Sequence, residues 1–460
     1  MDEAQYTVGR PAYADVTVVH PLGICAVVLC GLVLLSVPRR YAVWPMIVMA
    51  CFVAPAQRIV VVGLDLNFLR LMVLAGWTRL VLRGEIGAFR WCRLDVLLVT
   101  WAASSTIAYT VLTGSVEAFI NRMGMSYDAV GMYVLFRCLI RDWDDATTAV
   151  YGFMLVSVPI LLCFAIEHAS GYNVFAFLGG VPAITVIREG RLRCQGAFAH
   201  PILAGCFCAS MTPLFVAQWW RARRMSLALG ASVFSSLAII VLCASGTPVT
   251  AVGFGLVGAA MFWLRFHMKW ICAIAVGVTV GLHMVMKAPV WHLVSRLDVV
   301  SGNTSWHRYQ VIDQAIKHFD EWWLVGSASI SHWGVHAGDI TNQYVLEGVT
   351  GGAVTLVLFL SIIFAAFGMV GRMWRVFQRD PYRLAFSWAL GVSLFIHCTS
   401  YLAVTYFGQM IMVWYLHLAM IASLSCASDR RRAPRVRLST QEVTVVRGLS
   451  SNSGVAAPAS

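Results

Sequence analysis

Long apolar runs that are nearly free of charge recur from residue 21 to residue 425, and nothing else limits the fold of this chain so severely. A helix needs about 20 such residues to cross roughly 30 Å of hydrocarbon. Inside a bilayer only helices and closed barrels satisfy their own backbone. Barrel strands alternate apolar and polar residues, whereas these runs are continuous. The expectation is an all-α integral membrane protein, a polytopic bundle of about 12–13 transmembrane helices. Candidate spans lie near 21–38, 41–57, 64–82, 93–113, 126–140, 147–166, 201–219, 226–243, 248–266, 270–287, 349–370, 384–402 and 404–425. The second, third and fifth are the weakest, being short or interrupted by Arg or Asp. Charged residues make up 12% of the chain, about half the share usual in a soluble domain.

The net charge of +12 is not read as a nucleic-acid footprint, because the positive residues gather between spans. Arg39 and Arg40, Arg83 with Arg90 and Arg93, Arg221 with Arg223 and Arg224, His267 with Lys269, and Arg372 to Arg383 alternate onto one side. The positive-inside rule makes that side the cytoplasm. Three segments follow: an N-terminal segment 1–20, a membrane domain 21–426, and a basic tail 427–460 expected to be cytoplasmic and disordered. Asp2, Glu3 and Asp15 against Arg10 are the wrong charge for the start of a cleavable signal peptide.

The opposite side then carries two long loops, about 167–200 and 288–341, and long loops are uncommon unless functional. Within the second, Trp306, Tyr309, Ile312, Ile316, Phe319 and Trp323 recur every three or four residues. That spacing predicts an amphipathic helix over 304–323, lying at the membrane interface. Most of the 13 cysteines fall in apolar stretches and behave as small hydrophobes. No CxxC pair or Cys/His cluster points to a metal, and there is no P-loop, no GxGxxG opening a helix, no GxSxG elbow and no HExxH. No cofactor and no metal is expected.

Two segments resemble the signature of the O-antigen ligase/polymerase family. The first is Arg193-Cys-Gln-Gly-Ala-Phe-Ala-His-Pro-Ile-Leu-Ala-Gly205, leading from a loop into a span. The second begins at Arg308 and continues through an amphipathic helix to Trp323-Leu-Val-Gly326. It ends in Thr341-Asn-Gln-Tyr-Val-Leu-Glu-Gly-Val-Thr-Gly-Gly352. The resemblance spans about 21–425 and implies a GT-C-like bundle. It also implies transfer of a glycan from a polyprenyl diphosphate-linked oligosaccharide at the outer face of the bacterial inner (cytoplasmic) membrane. The acceptor would be another lipid-linked glycan, lipid A-core or another molecule, and the chemistry would be metal-independent.

Arg suits such a donor, since its fork of N–H groups matches phosphate oxygens and keeps its charge. Arg308 and Arg193 are the first candidates for stabilising the departing diphosphate, and Arg191 is a possible substitute for Arg193. Glu347 and His336 are candidates for proton transfer. Asn342, Tyr344 and His332 are candidates for binding glycan or diphosphate. The family's ligases carry His where this chain has Thr341, which tilts the expectation toward a polymerase or a non-lipid-A acceptor. His200-Pro201 is expected to cap a span, and Gly351-Gly352 to allow close helix packing. The competing reading is a transporter or flippase of a lipid-linked or small polar substrate.

Overall fold

The computed structural model describes residues 17–61, 64–221, 226–296, 302–334 and 340–432. His336 and nearly all of the tail expected to be disordered lie outside them. The helices are α1 (Pro21–Ser36), α2 (Trp44–Phe52), α3 (Phe68–Leu82), α4 (Arg93–Thr113), α5 (Val116–Ser126), α6 (Met132–Leu139), α7 (Trp143–Ser170) and α8 (Pro201–Ala217). They continue as α9 (Ser226–Leu242), α10 (Gly246–Ala260), α11 (Met268–Val285), α12 (Gly302–Lys317), α13 (Phe319–Trp322), α14 (Gln343–Val376), α15 (Pro381–Ser400) and α16 (Gln409–Arg432). Two antiparallel hairpins, β1 (Arg58–Val61) with β2 (Leu64–Asn67) and β3 (Val186–Arg188) with β4 (Arg191–Arg193), complete the described residues.

Each expected span overlaps a helix, but α2 has only nine residues and α6 eight, and the expected 64–82 opens on the strand β2. Among the described residues six helical segments are long and apolar enough to cross a membrane, namely Arg93–Thr113, Trp143–Ser170, Pro201–Trp220, Arg265–Val285, Gln343–Val376 and Gln409–Ser428. α1, α9 and α10 are apolar but shorter. The chain is therefore an all-α polytopic membrane protein. The span expected to open at 126 starts earlier: α5 runs through a π-helical turn at Tyr127–Gly131 straight into α6. Glu117 and Arg122 hid this first half from the apolar pattern. Asp128 in the π turn is buried and pairs with Arg70 of α3, at 2.7 and 2.8 Å.

The core centres on α8 and α16. α8 buries Leu203, Cys206, Phe207, Met211 and Leu214 against α9, α10 and α15. α11 has no residue buried, and its main contacts among the described residues are with the short 3-10 turns at its two ends.

The expected amphipathic helix stops sooner than its periodicity suggests. α12 ends at Lys317, and His318 interrupts the helix before α13. It also packs by the face opposite to the apolar one. Arg308, Val311 and Ala315 are buried, while Trp306, Ile316, Phe319 and Trp323 are about half exposed.

α14 breaks at Gly352, whose φ of 75° is open to few residues but glycine. The chain after α13 crosses the break. Ser327 donates its amide to the Val349 carbonyl and Ala353 to the Trp323 carbonyl, both at 2.8 Å. A Cβ at Gly352 would stand 2.3 Å from the Leu324 oxygen, and one at Gly326 2.4 Å from the Val349 oxygen. The glycine at 352 thus admits a crossing loop, not the second helix that its sequence suggests. The carbonyl and amide freed by the break are met by loop backbone, which satisfies polar groups in a helix that cannot rely on water.

Candidate functional site

The site is assembled around the start of α8. Glu189 and Gly190 both take positive φ, 52° and 74°, the requirement of a two-residue hairpin turn. In that hairpin Val186 faces Arg193 and Arg188 faces Arg191. Its register leaves Arg191 exposed and buries Arg193. Of the two expected arginines, only Arg193 therefore reaches the interior. Arg188, which the sequence reading had passed over, supplies the second nearby positive charge.

Arg193 is held in place from behind. The Glu167 carboxylate, near the end of α7, accepts the amides of Gln195 at 3.1 Å and Gly196 at 2.8 Å, and the Thr185 hydroxyl at 3.2 Å. The Cys194 amide donates to the Leu242 carbonyl at 3.1 Å. Glu167 escaped the sequence reading. The available signal was an acid near the end of an apolar run, costly unless bound.

Arg193, Gln195 and His200 line an open cavity of about 530 Å³, together with Val18, Ala56 and Pro182. The Arg193 Nε is buried with no hydrogen-bond partner among the described residues. Burial and the neighbouring Arg188 both depress the Arg193 guanidinium below its ordinary value, which favours an anion beside it. His200 caps α8, its Nδ1 accepting the Ile202 amide at 3.2 Å. Burial, and then the charges of Arg193 and Arg188, push its imidazole down to about 4. The ring is neutral near pH 7, with its proton on Nε2.

Arg308, from the other motif, is buried and held at the start of α10. Its Nη2 donates to the Thr247 hydroxyl at 2.8 Å, in the first turn of α10. The link between the two arginines is the turn between α9 and α10. Leu242 binds the strand of Arg193, Cys243 is within electrostatic reach of Arg193, and Thr247 holds Arg308. Ala244 in this turn has φ 43°, a conformation that costs a non-glycine residue about 1 kcal/mol or more and often marks a functional site. Gly205, the last residue of the first motif, lets α10 dock: a Cβ there would lie 2.4 Å from Pro248 Cγ.

Glu347 belongs to a different cluster. Its two oxygens accept from Trp101 Nε1 at 2.9 Å and Gln343 Nε2 at 2.8 Å. Arg122, buried over the Tyr109 ring at 4.0 Å, is near enough to act on it. Asn342 caps α14 by accepting the Val345 amide at 3.1 Å and donates to the Leu402 carbonyl at 3.3 Å. Tyr344 donates its hydroxyl to the Cys398 carbonyl at 2.9 Å and packs edge-on against Phe359 and Tyr401. Both residues are committed to holding the helix in place. His332 is half exposed and joined to Glu321 at 2.8 Å.

A buried chain that the sequence did not announce runs between α15 and α16. Tyr406 meets His397 Nδ1 at 2.9 Å, and His397 Nε2 meets His417 Nδ1 at 2.8 Å. These histidines sit inside apolar runs without a motif around them. No protein-family model matches this chain, and no curated protein sequence matches it either.

Proposed function

We propose that this protein transfers a glycan from a polyprenyl diphosphate-linked donor to an acceptor, as a metal-independent glycosyltransferase of the O-antigen ligase/polymerase type. The observation that carries the reading is the burial of both motif arginines, attached at the two ends of the connection between α9 and α10. They come from two motifs far apart in sequence: Cys194, next to Arg193, binds Leu242 at the end of α9, and Arg308 binds Thr247 at the start of α10. One of them keeps a buried donor unspent at the edge of a cavity.

In this reading the bundle has about 12–13 spans, and the cavity opens on the outer face of the bacterial inner membrane. The helix α12, with its exposed aromatic side, lies along the interface there. The polyprenyl tail stays in lipid while the diphosphate meets Arg193 and Arg308. As the glycosidic C–O bond breaks, charge grows on the diphosphate, and cationic donors already in place stabilise it most at that moment. His200 is neutral, so it can donate from Nε2 without adding a third positive charge. The acceptor hydroxyl forms the new bond at the sugar carbon and passes its proton, through water, to the departing diphosphate. With Thr341 at the ligase histidine's position, a polymerase or a non-lipid-A acceptor fits better than lipid A-core.

The broken helix α14 favours the transporter reading to a degree, since discontinuous helices line substrate paths in transporters. Its break is filled by the backbone of 323–327, which leaves surface chemistry the better account. The test is purified protein given a polyprenyl diphosphate oligosaccharide, with and without lipid A-core. A ladder of longer lipid-linked glycans identifies a polymerase, and a single acceptor-dependent product a ligase. No covalent product, with the donor instead moved between leaflets of a vesicle, identifies a flippase.

A further inference from the structure

The loop between α12 and α14 gathers three ligand-type side chains that the reading above does not use. His318 interrupts the helix between α12 and α13, Glu321 lies on α13, and His332 lies in the 3-10 turn Ser331–Trp333. His318 Nδ1 is 2.9 Å from Glu321 Oε1, and His332 Nε2 is 2.8 Å from Glu321 Oε2. One donor atom from each of the three lies within 4.8 Å of the others. Trp333 donates its indole N–H to Glu321 Oε2 at 2.9 Å. Its ring stacks on His318 at 5.2 Å with an interplanar angle of 4°.

We infer that His318, Glu321 and His332 form a zinc site that clips α13 to the 3-10 turn at Ser331–Trp333. Two imidazoles and a carboxylate are a ligand set zinc accepts while leaving a fourth position to water. Calcium and magnesium are selected by oxygen-rich shells, which this cluster lacks. Zinc–ligand bonds of about 2.0–2.2 Å in tetrahedral geometry place donor atoms roughly 3.3 Å apart. The His332–Oε2 contact needs to open by about half an ångström, while His318, now on Oε1, turns toward the same oxygen and the two imidazoles draw together. These side chains are between a quarter and just over half exposed, so they can turn without disturbing the core. The carboxylate is already oriented from outside by Trp333, as outer-shell donors orient ligands in metal sites. Trp333 is buried and keeps the site anchored.

The clip has a mechanical consequence. It closes the chain from Glu321 to His332, which contains the stretch that crosses the break in α14. Trp322, next to Glu321, packs on Gly348 and donates to the Ala315 carbonyl of α12 at 2.7 Å. Zinc would thereby hold α12, the helix of Arg308, against α14. The inference stands whether or not the protein transfers glycans.

The experiment uses untagged full-length protein in detergent, stripped with a chelator and titrated with zinc chloride. Bound metal is measured by mass spectrometry after gel filtration, and cobalt(II) serves as a spectroscopic stand-in. The wild type should keep about one zinc per chain and give a tetrahedral cobalt spectrum. His332→Ala and Glu321→Gln should bind at least about tenfold more weakly. Zinc should raise the Tm of the wild type and leave that of His332→Ala unchanged, while the two match in chelator. Failure of the wild type to bind zinc, or equal binding by His332→Ala, overturns the site. An octahedral cobalt spectrum overturns it too, even if a variant proves too unstable to test.

Discussion

Two polar regions of this bundle carry charge into apolar surroundings, and they differ in what is left for the charge to do. Around Glu347 each carboxylate oxygen has a donor, and a buried arginine stands nearby. Around Arg193 the support comes from behind: Glu167 fixes the backbone of the following residues, while the guanidinium Nε remains without a partner among the described residues. Burying a polar group without a partner is costly, and a protein tolerates the cost where a ligand arrives to complete the set. The first region is closed on itself; in the proposed function the second is the one that receives the anion.

The largest effect expected from this contrast falls on the arginines. Arg308→Ala or Arg193→Ala should lower turnover by about 10²–10³-fold, the usual loss when one transition-state donor is removed. Membrane yield and Tm should change little. Near-normal turnover in the gel assay would remove the contrast altogether.

Gly352→Ala comes next. It forces a Cβ against the Leu324 oxygen and strains a positive φ, which should destabilise by about 1–3 kcal/mol or more. Tm and proteolysis near residues 323–327 would report it, and an unchanged Tm would mean that the loop does not cross the break.

Glu167→Gln should be comparable or smaller, about 1–3 kcal/mol, because one amide-bearing oxygen position can no longer accept. Turnover should fall with it, since the strand that places Arg193 loosens. A loss of stability with full turnover would separate Glu167 from the site.

Glu347→Gln sharpens the comparison in the other direction. A general base contributes about 10²–10⁴-fold, so a variant retaining more than a tenth of wild-type turnover marks Glu347 as part of the framework. A folded variant that loses as much as Arg308→Ala would make it the base.

The smallest effect concerns pH. The folded His200 titrates near 4, against an ordinary 6.5. Between those values the unfolded chain binds the extra proton, so stability falls as pH is lowered through that window. His200→Asn keeps the helix cap and should flatten that part of a Tm-against-pH curve. An unchanged slope would mean the imidazole contributes nothing to it.

Much of the fold was legible because hydrocarbon leaves a chain so few choices. The apolar runs located the six helices long and apolar enough to cross a membrane, while the polar start of α5, with Glu117 and Arg122, escaped. Arg193 and Arg308 stand out through the motifs around them, and both are buried. Side-chain direction was not. Periodicity identified the apolar stripe of α12, yet Arg308, Val311 and Ala315 form the face that packs on the protein. In a membrane an apolar stripe can turn outward as readily as inward. Glu167 was hidden because its partners are backbone amides, which carry no residue signature. The glycine at 352 pointed to close packing correctly but not to its partner, which is a loop. His318, Glu321 and His332 meet only because the chain turns back after α13.

The most direct measurement compares wild type, Arg193→Ala, Arg308→Ala and the double variant in one assay with a polyprenyl diphosphate-linked oligosaccharide. If both arginines act on one departing diphosphate, each single variant loses most of the turnover and the double variant loses little more, as groups acting as a unit do. Losses that multiply independently, or single variants that turn over like the wild type, would contradict a shared site.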